Sequence, residues 1–229
     1  MSASNTFVNM FYKYPYAVTG ELLRILPDSL VIVSGLIALL TSSFPFFVLF
    51  ATLVESIFGF HLLRIVLSSA LTTFISPTRP SASSACHTGF RSTTLGDLTF
   101  FKTAAESNSV ISAPLYSISV AAAYLFNSLN IQMQELEALG PEYAARYYIS
   151  IFSLLILIFV VGSYRLYSGC EDISTVVFSI FVGLAIGSLL IYQNYKLLGP
   201  DSINLLGIPL LKNKTANGEP LYACTKTSA

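Results

Sequence analysis

Long apolar runs separated by short polar segments dominate this chain. A bilayer core of about 30 Å is crossed by roughly 20 predominantly apolar residues in a helix. The pattern predicts about five such helices, and four or six would also fit. The predicted spans cover residues 27–41, 44–60, 114–129, 147–162 and 173–195. Barrel strands are excluded, because they would alternate polar and apolar residues in pieces of about ten. We therefore expect an all-α, polytopic transmembrane helix bundle.

Three local signals refine these spans. Ser43 is a typical N-cap residue, and Pro45 follows in the first turn of the second helix. The second apolar pattern continues to Ile75, too far for one crossing, so we expect a bend near Gly59 or a projection beyond the bilayer. Gly183 and Gly187 have the small-xxx-small spacing that lets membrane helices pack closely.

The polar segments divide the chain into three parts. Residues 1–26 are predicted to form an N-terminal interfacial segment, residues 27–195 the transmembrane domain, and residues 196–229 an extramembrane tail. Within the domain, residues 76–108 form a long polar loop, and loops of this length are usually functional or disordered. Five spans place the N-terminus, this loop and residues 164–172 on one side. Six lysine and arginine residues then lie on that side of the membrane and five on the other. This near balance means that the positive-inside rule does not predict an orientation.

Composition supports a membrane protein and narrows its chemistry. The chain is 54% hydrophobic and 10% charged, whereas soluble domains carry about 25% charged residues. Its net charge of zero gives no reason to expect a nucleic-acid partner. Cys86, Cys170 and Cys224 show no metal-ligand spacing, and their odd number favours free thiols over a disulfide framework. We expect no metal and no cofactor.

A polar segment with a recognisable pattern opens the last apolar run. Residues 165–175 read R-L-Y-S-G-C-E-D-I-S-T. This segment resembles the third signature of the type 2 phosphatidic acid phosphatases, R-x(3)-G-x-H-x(3)-D. Arg165 and Gly169 match that signature, whereas Glu171 replaces the histidine and Thr175 replaces the aspartate.

The other two family signatures have partial counterparts in the expected order. Arg79-Pro80 matches the end of K-x(6)-R-P, with Thr72 at the lysine position. Pro114 begins a match to P-S-G-H, with Ser117 at the histidine position. The first counterpart follows a predicted span, and the second and third each open one. The chain is therefore similar to a degenerate member of this family, and a phosphatidic-acid-phosphatase-like fold is expected.

The resemblance implies a phosphate site that has lost its catalysts. In the family the lysine and both arginines hold phosphate, one histidine attacks phosphorus, and the other protonates the leaving oxygen. Arg79 and Arg165 therefore remain as candidate anion-binding residues, with no catalytic residue retained. A lipid headgroup could bind both arginines, or Arg165 could pair with Glu171 or Asp172. We favour the ion pair, because these carboxylates are six and seven residues away and need no ligand.

Ionisable residues inside the second apolar run form a separate candidate. Glu55, His61 and Arg64 could act in a proton relay, since ionisable residues within a span are functional candidates. We favour a structural interpretation, in which Glu55 pairs with a neighbouring helix while His61 and Arg64 lie beyond the bilayer core.

The expected function is that of a catalytically inactive structural subunit in a larger membrane-associated assembly. Its expected partners are membrane lipids, including an anionic phospholipid headgroup, and other protein subunits. One alternative is an active lipid-phosphate phosphatase with a rearranged site. A second is a small transporter, which would require Glu55 and Arg64 to face a water-filled cavity. The internal membrane of a large virus and an organellar membrane are both compatible locations.

Overall fold

The computed structural model describes residues 3–71, 86, 110–133, 136–137 and 141–206. Five long helices account for most of these residues, and no strand occurs in the described ranges. The helices are α1 (Ala3–Thr41), α2 (Phe44–Leu71), α3 (Ala113–Ile131), α4 (Pro141–Tyr167) and α5 (Ile173–Leu198), followed by a 3-10 turn at Pro200–Ile203. The all-α prediction is confirmed.

Four of the described helices are long and apolar enough to cross a membrane. These segments are Gly20–Thr41, Phe44–Leu67, Ala145–Tyr167 and Ile173–Leu198. They belong to α1, α2, α4 and α5, which indicates a multi-pass integral membrane protein.

Helix α3 forms where the third span was predicted, but it has a different environment. Its residues from Ala113 to Tyr124 are all buried, and they contact α1, α2, α4 and α5. A helix enclosed by protein needs no lipid-compatible surface, and α3 accordingly contains several serine, tyrosine and asparagine side chains. It is therefore the enclosed core of the bundle, and it is not among the four helices that are long and apolar enough to cross a membrane by composition.

Helices α3 and α5 pack at very short range through two glycines. A β-carbon built on Gly183 would lie 2.7 Å from the carbonyl oxygen of Tyr116. One built on Gly187 would lie 2.5 Å from the carbonyl oxygen of Val120. No larger residue fits at either position without moving the helices apart, so the predicted close packing through Gly183 and Gly187 is confirmed.

Hydrogen bonds at both ends of α3 fix the directions of its neighbours. Ser112, just before α3, contacts Ser179 in the first two turns of α5. Ser128 near the other end donates to the carbonyl of Ile203, which follows α5. Helices α3 and α5 are therefore parallel. Tyr147, near the start of α4, donates to Asn130 near the end of α3, so α4 runs the opposite way.

Helix α2 also runs opposite to α3. Ser56 contacts Tyr116 near the start of α3, whereas Thr52 contacts Asn194 near the end of α5. In α1, Gly20 lies against Tyr164 in the last turns of α4. We call the end of the bundle where α4 finishes and α3 and α5 begin the Arg165 end. The opposite end, where Ile203 packs, is the Ile203 end.

One helix boundary and one expected bend differ from the sequence predictions. Helix α1 begins at Ala3 and continues through Pro27 instead of starting there. Neighbouring helices can satisfy the backbone groups that a proline frees inside a membrane helix, so proline is a weaker stop signal there. Helix α2 continues through Gly59 to Leu71 without a break, so of the two alternatives for this run the structure has a helix that extends beyond the predicted span. Its start is as predicted, because the amide of Phe47 donates to the carbonyl of Ser43.

Candidate functional site

The candidate site is built from the last turn of α4, a tight turn and the first turns of α3 and α5. After α4 the chain reverses through Gly169, whose φ of +65° lies in the left-handed region that favours glycine. The amide of Cys170 then donates to the carbonyl of Arg165 at 3.0 Å. Asp172 occupies the N-cap position of α5 without a side-chain capping bond. This turn brings Glu171 back towards Arg165.

Arg165 and Glu171 form a buried ion pair. The Arg165 Nε donates to Glu171 Oε1 at 3.0 Å, and Nη2 donates to the same oxygen. Their side chains are 9% and 7% exposed. A third bond runs from Arg165 Nη1 to the carbonyl oxygen of Cys86 at 3.1 Å. Of the two partners considered for Arg165, the structure has Glu171, and Asp172 is exposed. The predicted ion pair is confirmed.

Ser112 extends this pair to the central helix. Its hydroxyl donates to Glu171 Oε1 at 2.6 Å, and its backbone amide donates to Ser179 Oγ at 2.7 Å. Ser179 Oγ in turn donates to the carbonyl of Thr175. Although Ser112 stands at the N-cap of α3, it makes no side-chain capping bond there. One glutamate oxygen thus joins the end of α4 to the start of α3.

A disulfide closes the same end of the bundle. Cys86 and Cys170 are joined, with α-carbons 5.3 Å apart, and both residues are buried. The expectation that these two cysteines are free thiols is therefore wrong. Counting cysteines could not reveal the bond, because the pair is 84 residues apart in sequence and meets only through the fold. Cys224 lies outside the described residues.

Several oxygens at the Arg165 end retain acceptor capacity. Glu171 Oε2, Thr175 Oγ1 and Ser168 Oγ are buried and lack a hydrogen-bond partner within the protein. A carboxylate oxygen in such a position suits a donor or a cation and repels a phosphate dianion. The described part of the chain contains no group of three His, Cys, Asp or Glu residues that could hold a metal ion.

The remaining motif positions are only partly described. Thr72, Arg79 and Pro80 lie outside the described residues, so the candidate clamp between Arg79 and Arg165 stays a prediction. Pro114 lies in the first turn of α3, and Ser117 follows one turn later, buried. The structure therefore brings the counterparts of the second and third signatures to one end of the bundle. It also adds Ser112, Ser179 and the two cysteines, which the sequence did not single out.

The ionisable residues of α2 occupy a different part of the bundle. Glu55 is exposed, and its Oε1 accepts a bond from Gln193 Nε2 of α5 at 3.3 Å. The expected pairing of Glu55 with a neighbouring helix is therefore confirmed. His61 is half-buried with its ring edge-on to Phe60, and Arg64 is also half-buried.

A second polar contact and a groove complete the described features. Asn194 Nδ2 donates to Thr52 Oγ1 at 2.7 Å and lies 3.4 Å from the Tyr124 hydroxyl, linking α5, α2 and α3. An open groove of about 210 Å³ runs between α1, α2 and α3, and its lining includes Leu30 and Phe46. No ionisable side chain lines this groove.

Comparisons with known protein families, curated proteins and solved structures found no match to this chain.

Proposed function

We propose that this chain is a catalytically inactive, lipid-phosphatase-like integral membrane protein that serves as a structural subunit of a larger membrane-associated assembly. The observation that carries the proposal is the state of Arg165, the arginine that the third signature would use to hold phosphate. It is buried, and its guanidinium donors are bound to Glu171 and to the carbonyl of Cys86. A phosphate would have to displace these acceptors to reach it.

The residue at the nucleophile position supports the absence of phosphoryl transfer. Glu171 stands where the family has a histidine, and its Oε1 accepts three hydrogen bonds, from two guanidinium nitrogens and from Ser112. An oxygen held this way is a poor nucleophile. Its negative charge also opposes the approach of a phosphate dianion. Thr175 cannot supply the carboxylate that orients a histidine in the family.

The arrangement of helices supports a relationship to the family. The counterparts of the second and third signatures open α3 and α5, which are parallel and begin at the same end of the bundle. A common site built from these signatures requires such an arrangement. The ion pair ties these helix ends together, and the disulfide joins Cys86 to the turn between α4 and α5, which suits a rigid structural element.

The proposed partners are membrane lipids and other protein subunits. An anionic phospholipid headgroup would use Arg79 together with any donor capacity left on Arg165. Mass spectrometry of the native membrane particle tests the role, because it identifies bound lipid and neighbouring subunits in one measurement. The proposal expects stoichiometric co-purifying subunits. A chain that is released alone from its native membrane under mild extraction would contradict the structural role.

A further inference from the structure

Glu55 is an ionisable residue in the middle of an apolar segment, where a lipid-facing side chain is normally apolar. It is eleven residues after Phe44 and twelve before Leu67, at the middle of the apolar segment of α2. At about 1.5 Å per residue, this is near the centre of a hydrocarbon core of about 30 Å. Its partner Gln193 lies five residues inside the end of the α5 segment. Gln193 is about 11 Å along α5 from the midpoint of that segment, towards the Ile203 end, so α5 places the pair closer to one membrane surface than α2 does. Both positions still lie inside a hydrocarbon core of about 30 Å.

The pair faces outward rather than into the bundle. Glu55 is exposed, Gln193 is half-exposed, and their hydrogen bond bridges α2 and α5 at the surface. Ionisable residues within membrane spans almost always face a protein interior or a water-filled cavity, because hydrocarbon cannot solvate them. The groove between α1, α2 and α3 does not include Glu55. Another protein surface is therefore needed to cover this pair.

Large side chains flank the pair on both helices. Phe58 and Leu62 are 67% and 65% exposed, and they follow Glu55 at spacings of three and seven residues along one stripe of α2. Leu189 and Tyr192 on α5 are 59% and 61% exposed beside Gln193. We call these six residues the Glu55 face. A polar pair at the centre of apolar side chains is the pattern of a membrane helix interface that polar residues hold together.

We propose that the Glu55 face binds a second copy of this chain. The two side chains carry complementary hydrogen-bond donors and acceptors. Beyond the bond they share, Glu55 has a second carboxylate oxygen, and Gln193 has a second N–H and a carbonyl oxygen. In a two-fold arrangement the second N–H of Gln193 in each copy donates to the second carboxylate oxygen of Glu55 in the other copy, so these two groups are satisfied reciprocally. The inference depends on the membrane placement of α2 and α5 and not on whether the Arg165 end is catalytic.

The experiment measures association of purified full-length chain in liposomes. Donor- and acceptor-labelled copies are mixed, and energy transfer is followed as the lipid-to-protein ratio rises. Glu55→Leu and Gln193→Leu should each weaken association about tenfold, since interhelical polar contacts in membranes have that order of effect. Glu55→Gln should retain association, because a carboxamide can still accept and donate across the interface.

The matched control is Ser153→Leu on α4, an exposed serine whose hydroxyl bonds the carbonyl of Ile149 in its own helix. It should associate like the unaltered chain. Retention of the Cys86–Cys170 disulfide in each variant, assayed by thiol labelling after denaturation, shows that the bundle has folded. Energy transfer no greater than random proximity in the unaltered chain would overturn the proposal. Equal association of the Glu55→Leu variant, or a different protein captured at this face, would also overturn it.

The disulfide carries a second, independent inference. Disulfides form and persist in oxidising compartments and are rare where cytosolic reductants act. Cys86 and Cys170 are joined at the Arg165 end of the bundle. We infer that the Arg165 end faces an oxidising compartment, and that the turn between α1 and α2, at the other end, faces the reducing side. This supplies the orientation that the charge distribution leaves open.

Thiol labelling in sealed native membranes tests this orientation in a Cys224→Ser background. New cysteines are placed at exposed positions on the two sides, as Tyr167→Cys at the end of α4 and as Thr41→Cys at the end of α1. A membrane-impermeant maleimide applied from the oxidising side should label Tyr167→Cys and leave Thr41→Cys unlabelled until the membrane is permeabilised. The reverse pattern, or free thiols at Cys86 and Cys170 in native membranes, would overturn the assignment.

Discussion

The Nε of Arg165 and the Oε1 of Glu171 lie 3.0 Å apart across the tight turn that joins α4 to α5. Both side chains are less than one-tenth exposed, at 9% and 7%. The same glutamate oxygen accepts the Ser112 hydroxyl at the start of α3. This single acceptor therefore connects three helices at one end of the bundle.

Removing either member of this pair should destabilise the protein strongly. A buried charge that loses its partner costs about 3–5 kcal/mol. We expect Arg165→Ala to lower the free energy of unfolding by about 3 kcal/mol, measured by reversible denaturation in mixed micelles. Asp172→Asn is the control, because Asp172 is exposed and makes no side-chain capping bond. Its effect should stay within about 0.5 kcal/mol.

A double substitution separates loss of the pair from loss of packing. Buried ion pairs can often be replaced by apolar residues at little cost, since neither charge then has to leave water. Arg165→Leu combined with Glu171→Leu should therefore be more stable than Arg165→Leu alone. If the two single losses simply add, the pair is not coupled in the folded state.

The disulfide should contribute to stability as one unit. Its cysteines are 84 residues apart, so reduction frees a long loop in the unfolded chain. The chain-entropy model assigns about 4.5 kcal/mol to a loop of this size. We expect Cys86→Ser and Cys170→Ser to cause similar losses, and the double variant to lose no more than either alone. Additive losses in thermal unfolding would show that the two residues act separately.

Adding a single methyl group to the contact between α3 and α5 should destabilise the protein. In Gly187→Ala the new β-carbon would lie 2.5 Å from the Val120 carbonyl oxygen and 2.8 Å from the Ala123 β-carbon. Because both neighbours are backbone or rigid atoms, the helices must separate, at a cost of about 1–3 kcal/mol. Gly59→Ala is the matched control, since its β-carbon would meet only the Tyr116 hydroxyl at 3.6 Å. Equal effects of the two substitutions on unfolding would contradict this packing.

The buried contact between Asn194 and Thr52 should have a smaller effect. Asn194→Leu removes a 2.7 Å bond between α5 and α2, and we expect a loss of about 1 kcal/mol, as for other polar contacts between membrane helices. Asn127→Leu is the comparison, because Asn127 bonds Ser188 at an exposed position and also its own helix. Denaturation should show a greater loss for Asn194→Leu. The reverse order would mean that the buried contact is not the stronger one.

Local sequence signals predicted much of the helical framework. The apolar runs located the helices, Ser43 and Pro45 marked the start of α2, and the spacing of Gly183 and Gly187 predicted close packing. These features depend on residues within one or two helical turns. Pro27 misled the placement of α1, because the stop signal that proline gives in soluble helices is weaker inside a membrane bundle.

The candidate site depended more on contacts between distant residues. Arg165 and Glu171 are six residues apart, so their pairing could be anticipated from the turn between them. Ser112 is 59 residues from Glu171 and Cys86 is 84 residues from Cys170. Only the parallel packing of α3 with α5 and the return of α4 bring these residues together. The burial of α3 could not be predicted either. Hydropathy measures how polar a side chain is, and it does not show which side chains are surrounded by protein.

The central claim is that this helix bundle, which we propose to be related to the lipid phosphatases, does not transfer phosphate. The most direct measurement is phosphate release from phosphatidic acid and diacylglycerol pyrophosphate by purified chain in mixed micelles, compared with a folded Arg165→Lys variant. Lysine keeps the positive charge at the ion pair but cannot reproduce the planar, multiple-donor contacts of arginine. We predict equal, background-level release from both proteins. Turnover by the unaltered chain above that of Arg165→Lys would contradict the claim.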